Sequence, residues 1–480
     1  VILIEEDDMR WTIPILAALV ALPVSKVNAA EGGQERIDQL DQQVHDLSDQ
    51  VNELKRSQSA QYSDIQNLRS QDVQTAIKNG RPTWTSADGQ FSIALRSLVQ
   101  LDSAYYSQGK APSGTDFSTG TNFRRARLGL SGTLFKDWSY EFLYDLGGSG
   151  TEGSTISSAY LQYDGLAPLH FRIGAYPVPE SFDDSTSASD LAFLERAQPT
   201  DVARNIAGAD GRNAATAFAY DDDYFAALSL TAGKVDDSAV FDEQQALVGK
   251  LAYRLYKDAD ANFVLGGDTT WLFNTPDSTA GANSVENVVL RERPELNVDS
   301  QSTYLVTTGN IDAKTLLEWG VEAAGNYQNL YAQTGYFGYD VSRRTGTLPD
   351  PSFNGWYAQA SWVLTGEAKP YKPERGAYGS PTPANPVSSE KLGLGAWEIA
   401  SRYSVLDLNY NQGVAGKVTP TGGIRGGEQK IWTVGLNWYP NTAIRFQLDF
   451  QHTDVSRLNG TGGDIGAKVD AVSLRTQFAL

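Results

Sequence analysis

Two hydrophobic periods divide the chain. Ile37, Leu40, Val44, Leu47, Val51 and Leu54 recur in steps of three and four. Polar Gln58 and Gln61 hold the next two seam positions, and the stripe resumes at Ile65 and Leu68. This pattern predicts an α-helical coiled coil of about four to five heptads. The other positions carry Gln, Asp, Glu, Ser, Lys and Arg, as a solvated outer face requires. A lone amphipathic helix is marginal in water, so the stripe implies either self-association or packing on the rest of the chain. β-Branched residues at a with Leu at d favour two strands, a preference that a tethered domain can override.

From Gln90 onward the period falls to two. Ile444, Phe446, Leu448 and Phe450 alternate with Arg445, Gln447, Asp449 and Gln451, and the turn Tyr439-Pro440-Asn441-Thr442 joins them to Trp432, Val434, Leu436 and Trp438. The same alternation recurs at Trp138, Tyr140, Phe142 and Tyr144, and again at Trp356, Ala358, Ala360, Trp362 and Leu364. Strands of about ten residues with aromatics near their ends fit an apolar band between interfacial girdles, with the apolar face outward and the polar face inward.

Short turns are expected at 135–137, 164–168, 221–223, 258–261, 324–327 and 440–442, and a long Pro-rich connection at 366–391 falls on the same side. Longer loops alternate with them. This predicts sixteen strands, with residues 303–312 reading equally well as strand or loop. Short periplasmic turns opposite long external loops are the outer-membrane arrangement, and a barrel of this size keeps a water-filled lumen. Closure requires the last strand (Val472, Leu474, Thr476, Phe478, Leu480 outward) to pair with the first, 91–105.

Composition narrows the class further. The 480 residues include 45 Gly, 23 Tyr, 18 Phe, 10 Trp and no Cys, and the mean hydropathy is -0.36. No stretch approaches the roughly 18 apolar residues of a membrane helix. Without Cys there is no disulfide framework and no thiolate metal site or nucleophile, so no cofactor and no metal site are expected. Thirty-nine basic against 58 acidic residues, net -19, argue against a nucleic-acid partner. Met9-Arg10, an apolar run to Val24 and then Val27-Asn28-Ala29 read as an export signal cleaved after Ala29 or Ala30, with residues 1–8 an over-extended start. His45, His170 and His452 sit in no hydrolase or metalloprotease motif, so an enzyme is not expected.

Six segments then carry a family resemblance: NFRRARLGLSGTLFKDWSYEFLYDL at 122–146, LER at 194–196, RERP at 291–294, LTGE at 364–367, GAWE at 395–398 and GLNWY at 435–439. In this order over 90–480 they resemble the phosphate-selective porin O and P family. The resemblance implies a homotrimer of sixteen-stranded outer-membrane channels in which the third loop narrows the pore and basic residues guide anions such as phosphate. Carried over position by position, it places constriction arginines at Arg96, Arg124 and Arg125 and entrance arginines at Arg291 and Arg293, in the fifth loop. A guanidinium fork suits a tetrahedral oxyanion. The competing reading pairs these arginines with wall carboxylates such as Asp102, Glu141 or Asp145.

The third loop, 177–212, departs from the family. Asp184 and Ser189 stand where phosphate-selective members carry lysines, among Glu180, Asp183 and Asp190. The entrance run also turns acidic, at Glu295 and Asp299. Arginines on the wall facing carboxylates on the loop predict a transverse field and weakened phosphate selectivity, with a general or cation-preferring pore as the alternative. The expected organisation is a signal region at 1–29, a periplasmic coiled coil at 30–78, a linker at 79–89 and an all-β, antiparallel outer-membrane barrel at 90–480. The expected partners are two further copies, outer-membrane lipid and small ions. A cell-wall contact through the coiled coil would make the chain an envelope tether.

Overall fold

The computed structural model describes residues 32–71, 73–78, 80–110, 115–148, 155–235, 243–276, 287–299, 301, 303–388 and 393–480. The expected signal region lies outside them. Two compact units result, one up to Gln71 and one from Asp72. The first is a single helix, α1 (Gly32–Gln71). Its seam residues Ile37, Leu40, Val44, Leu47, Val51 and Leu54 are all exposed; the side chains of Ile65 and Leu68 lie outside the described set.

The second unit opens with a hairpin of Gln74–Lys78 and Arg81–Thr85, in the stretch expected as helix tail and linker. β-Branched Thr75, Ile77, Thr83 and Thr85 favour extended backbone, and Gly80 supplies a left-handed turn position at φ 77°. Sixteen barrel strands follow. The first eight are β1 (Ser92–Lys110), β2 (Gly120–Leu134), β3 (Trp138–Asp145), β4 (Thr155–Leu166), β5 (Leu169–Ala175), β6 (Arg212–Tyr220), β7 (Tyr224–Lys234) and β8 (Gln245–Lys257). The second eight are β9 (Ala261–Asn274), β10 (Ile311–Tyr327), β11 (Leu330–Arg343), β12 (Ser352–Val363), β13 (Ala396–Tyr410), β14 (Ile424–Tyr439), β15 (Ile444–Ser456) and β16 (Ala467–Ala479).

Each strand pairs antiparallel with the next, and β16 closes on β1 with Leu474 opposite Ser103 and Arg475 opposite Asp102. Closure removes the sheet edges that lipid could not satisfy. The ambiguous stretch at 303–312 resolves mostly as loop, with Val306–Thr307 in a small hairpin and β10 starting at Ile311. The turn expected at 324–327 falls at Gln328 instead, which takes the left-handed φ of 52° that the intended ladder positions do not need.

Alternation sets the two faces. On β15 and β16 Leu448, Phe450, Val472, Leu474 and Phe478 are exposed, while Arg445, Gln447, Asp449, Gln451, Ser473, Arg475 and Gln477 are buried inside. The buried apolar cluster is therefore no ordinary core between sheets. It forms where loops enter the barrel, as Val202, Ala203 and Ile206 of loop three meet wall residues Phe337, Tyr339, Phe353 and Leu406. Among the described residues three segments enter: loop three (176–211), parts of loop five (287–299 and 303–310) and, from the short-turn end, residues 364–388 of the connection to β13.

Candidate functional site: the lumen and its constriction

Loop three carries two helices, α2 (Phe182–Ser185) and α3 (Gln198–Ala207). Pro199 occupies the first turn of α3, where its missing N–H costs nothing. Asp183 supplies the missing cap, accepting the Ala197 N–H at 2.9 Å and the Thr200 hydroxyl at 3.1 Å. The start of α3 lies on the wall: Tyr339 donates to the Pro199 carbonyl at 2.6 Å. A Cβ at Gly355 would come 2.8 Å from the Pro199 side chain, so glycine is what permits that approach.

Between its helices the loop is sealed against one half of the barrel. Wall side chains donate to its backbone carbonyls: Gln100 to Ala188, Gln477 and Arg445 to Ser189, Asn437 to Ala192 and Arg475 to Leu194, at 2.6–3.1 Å. Asp449 accepts the Leu194 N–H at 3.0 Å. Loop five braces it from the other end. Glu295 accepts from the Gln198 N–H at 2.8 Å, from Ser404 at 2.6 Å and from Arg402 at 2.5–3.0 Å.

The open half of the lumen is a series of three adjoining cavities. At the loop end a cavity of about 700 Å³ is lined by Arg124, Arg196, Arg204, Lys234, Arg291 and Arg293 against Glu195, Asp201, Glu292 and Glu295. It shares Arg196 and Arg204 with a middle cavity of about 420 Å³. The middle cavity has Arg96, Arg125, Arg127, Arg172, Arg196, Arg204 and Arg375 against Glu141, Asp184, Asp210 and Glu374. A third, of about 670 Å³ at the short-turn end, shares Arg96, Arg127 and Arg375 with it. There Arg81, Arg96, Arg127, Lys372, Arg375 and Arg445 face Asp190 and Glu374.

All five arginines singled out by the sequence thus line this path, at different levels. Arg96 pairs with Glu141 at 3.1 Å, as the structural alternative held. Arg124 and Arg125 are neighbours in sequence, yet both turn inward, because the β1–β2 register shifts between Gln100 and Leu101 and leaves Arg124 as the extra residue of a bulge. Arg124 pairs with Glu195 of loop three at 2.7 Å. Arg125 donates to Gln100 at 2.8 Å and lies 3.9 Å from Glu195. In loop five Arg291 and Arg293 stack over the Tyr304 ring at 4.2 and 4.7 Å, and Arg293 donates to Asn297 at 2.8 Å.

The path also holds basic residues that sequence reasoning passed over. Arg127 pairs with Asp145 at 2.7 Å and with Asp210; its signal was the step of two from Arg125, which puts both on one face. Arg172 stacks on Tyr160 at 4.3 Å and donates to Gln162 at 2.8 Å. Arg375 arrives on the 364–395 connection, which is anchored inside by the buried pair Lys369–Glu398 at 2.8 Å and by Tyr378 packed on Tyr331. No local pattern announces that a Pro-rich turn folds inward.

The loop acids take several places. Glu180 and Asp183 line none of the three cavities; both are buried, Glu180 toward β9 and Asp183 at the α3 cap. Asp184 lines the middle cavity but is held by Arg204 at 2.6 Å and Arg196 at 3.6 Å. Asp190 lines the third cavity and accepts from Ser380 at 2.9 Å. Burial acts to raise the carboxyl pKa of Glu195 and Asp210, but the arginines around them outweigh it and hold both below the usual range. Glu292 goes the other way: burial first, then the neighbouring Asp201, push it well up.

A closed barrel with an apolar outer belt and adjoining charged cavities in its lumen is an outer-membrane channel for passive diffusion. The chain belongs to the phosphate-selective porin O and P family, whose model matches residues 93–480. It is 24% identical over 417 residues to porin O of Pseudomonas aeruginosa, covering 82% of this chain and 90% of that protein. It is 25% identical over 377 residues to an uncharacterised Caulobacter vibrioides protein, covering 77% of this chain and 70% of that one. Among solved structures it is similar to an anion-selective porin from Comamonas acidovorans, at 14% identity and TM-score 0.48, over 81% of this chain and all of that one.

Proposed function

We propose that this porin prefers anions and that phosphate is among the solutes it favours. The observation that carries this reading is the excess of Arg and Lys over carboxylates in each of the three cavities, in a chain whose net charge is -19. Glu180 and Asp183, which would supply the competing cation-attracting field, stand away from the path, and Asp184 is spent on Arg204 and Arg196. Arg96, Arg124, Arg125, Arg291 and Arg293, with Arg127, Arg172 and Arg375, form a series of sites along which an oxyanion exchanges hydration for guanidinium contacts. The test is the zero-current potential of the purified protein in a planar bilayer across a potassium chloride gradient, followed by phosphate added to both sides. Anion preference with phosphate block of the chloride current supports the reading; cation preference, or anion preference without block, overturns the corresponding part.

The organisation proposed around this pore is a homotrimer in the outer membrane, with residues 1–29 as export signal and α1 as a periplasmic coiled coil. An exposed apolar seam on a 40-residue helix supports self-association, because leaving that stripe in water is unfavourable. Deleting residues 34–70 discriminates the roles. Loss of trimers marks an oligomerisation element; intact trimers with loss of envelope attachment mark a tether.

A further inference from the structure

Behind loop three, three carboxylates from distant parts of the chain meet. Glu180 comes from the root of the loop, Asp268 from β9 and Glu318 from β10, and one oxygen from each lies within 4.8 Å of the others. Glu180 and Glu318 are fully buried and Asp268 is 5% exposed. Among the described residues, both oxygens of Asp268, both of Glu318 and Oε2 of Glu180 have no hydrogen-bond partner. Glu180 Oε1 alone is engaged, accepting from the Thr270 hydroxyl at 2.9 Å.

Converging carboxylates without donors are among the least favourable arrangements a protein interior can hold, unless a cation joins them. The nearby side-chain cations are committed elsewhere. Lys250, opposite Asp268 in the β8–β9 register, donates to the Ser185 hydroxyl at 2.6 Å and to the Arg375 carbonyl at 3.1 Å. Arg204 is held by Asp184 at 2.6 Å.

An all-oxygen donor set with no imidazole or thiol suits a hard cation. Magnesium demands near-ideal octahedral geometry and retains several waters, whereas calcium accepts six to eight oxygens, including bidentate carboxylates, in irregular arrangements. A buried site rich in free carboxylate oxygens favours the second. We propose that Glu180, Asp268 and Glu318 form a calcium site that pins the root of loop three to the β9–β10 wall.

The consequence lies in where Glu180 sits. Two residues later the Phe182 N–H donates to Glu322 of β10, and the Phe182 ring covers Gly266, where a Cβ would come 2.5 Å from the ring. The ion and these contacts together fix the point from which the loop sets out across the lumen.

The test uses the full chain refolded into detergent micelles free of lipopolysaccharide, so that lipid-bound calcium does not contribute. Equilibrium dialysis with radioactive calcium at neutral pH should find one ion per chain. The thermal midpoint should rise by several degrees in millimolar calcium over excess EGTA, and magnesium should have a smaller effect. Glu318→Gln and Asp268→Asn, both isosteric, should lose the ion and the calcium-dependent shift while keeping the heat-modifiable mobility of a folded barrel. Calcium binding no greater in the wild type than in Glu318→Gln, or equal midpoints in calcium and EGTA, overturns the proposal and means that protons neutralise the cluster. If neither variant folds, the wild-type stoichiometry and midpoint shift decide by themselves.

Discussion

Arg125 is the sharpest place to test how the lumen handles anions. It lines the middle cavity, its guanidinium is bonded to neutral Gln100, and its nearest carboxylate, Glu195, is 3.9 Å away and shared with Arg124 and Arg475. Much of its charge therefore remains available to a solute. At about 4 Å one unit charge attracts another by ~1 kcal/mol in bulk water and ~4 kcal/mol at an effective dielectric of about 20. A partly wet, partly screened lumen lies between these limits. Arg125→Gln is thus expected to cost a bound monovalent anion about 1.4–2.8 kcal/mol, a weakening of roughly 10- to 100-fold. Glu195→Gln is the mirror experiment. It releases Arg124 and Arg125 from their shared counter-charge and should tighten binding by a comparable factor. The assay is the phosphate concentration that halves chloride current through single channels at fixed ionic strength. A shift below about twofold for Arg125→Gln, or a shift of the same sign in both variants, would refute the claim that uncompensated guanidinium charge sets affinity here.

Other parts of the structure make separate demands. Asp102 and Arg475 are fully buried, face each other across the closing seam and form a two-pronged contact at 2.6 Å. Removing the arginine alone in Arg475→Met strands a buried carboxylate and should destabilise the barrel by about 3–5 kcal/mol, read as a lower urea midpoint. Gly355→Ala brings a Cβ to 2.8 Å from Pro199 and 2.9 Å from the Val405 carbonyl, so α3 must shift. About 1–3 kcal/mol of strain and a changed single-channel conductance are expected, and an unchanged conductance would show that the wall yields instead. Glu292 has its pKa raised above 4.5 by burial and by Asp201, so it is neutral in the folded protein at pH values where it ionises in the unfolded chain. Its contribution to stability is complete below about pH 4.5 and is lost as pH rises through the higher folded value. Over the same interval the loop-end cavity, which Glu292 lines, gains a negative charge, so anion preference should fall with rising pH in the wild type and remain level in Glu292→Gln.

Local pattern carried the architecture a long way. A period of two, aromatic strand ends and polar turns are consequences of a pleated wall between lipid and water, so Ile444 to Gln451 disclosed their faces directly. The pairing of the last strand with the first followed from the need to leave no edge in lipid. The lumen was less legible, since its contents depend on contacts between residues far apart in sequence. Alternation places Arg124 and Arg125 on opposite faces, and only the bulge opposite Gln100 and Leu101 brings both inside. Glu180 and Asp184 look alike in a run of acids, yet one faces β9 and the other is bound by Arg204. Arg375 lies in a segment whose prolines predict a turn but not its inward course.

The contrast between an acidic chain and a basic path follows from distance and screening. At physiological ionic strength an exposed charge is felt over about 8 Å, so carboxylates on the outer rims contribute little to a solute deep inside the barrel. Inside, the wall excludes much of the screening solvent and the charges nearest the path govern the field. The acids inside are held by counter-charges: Glu141, Asp145, Asp184, Glu195 and Asp210 are each paired with at least one arginine. These pairs hold guanidinium groups in fixed positions without cancelling the excess, because Arg172 and Arg375 line the path with no carboxylate in ion-pair contact among the described residues. Selectivity in such a pore is a property of where the loops carry their charges, and the total charge of the chain is silent about it.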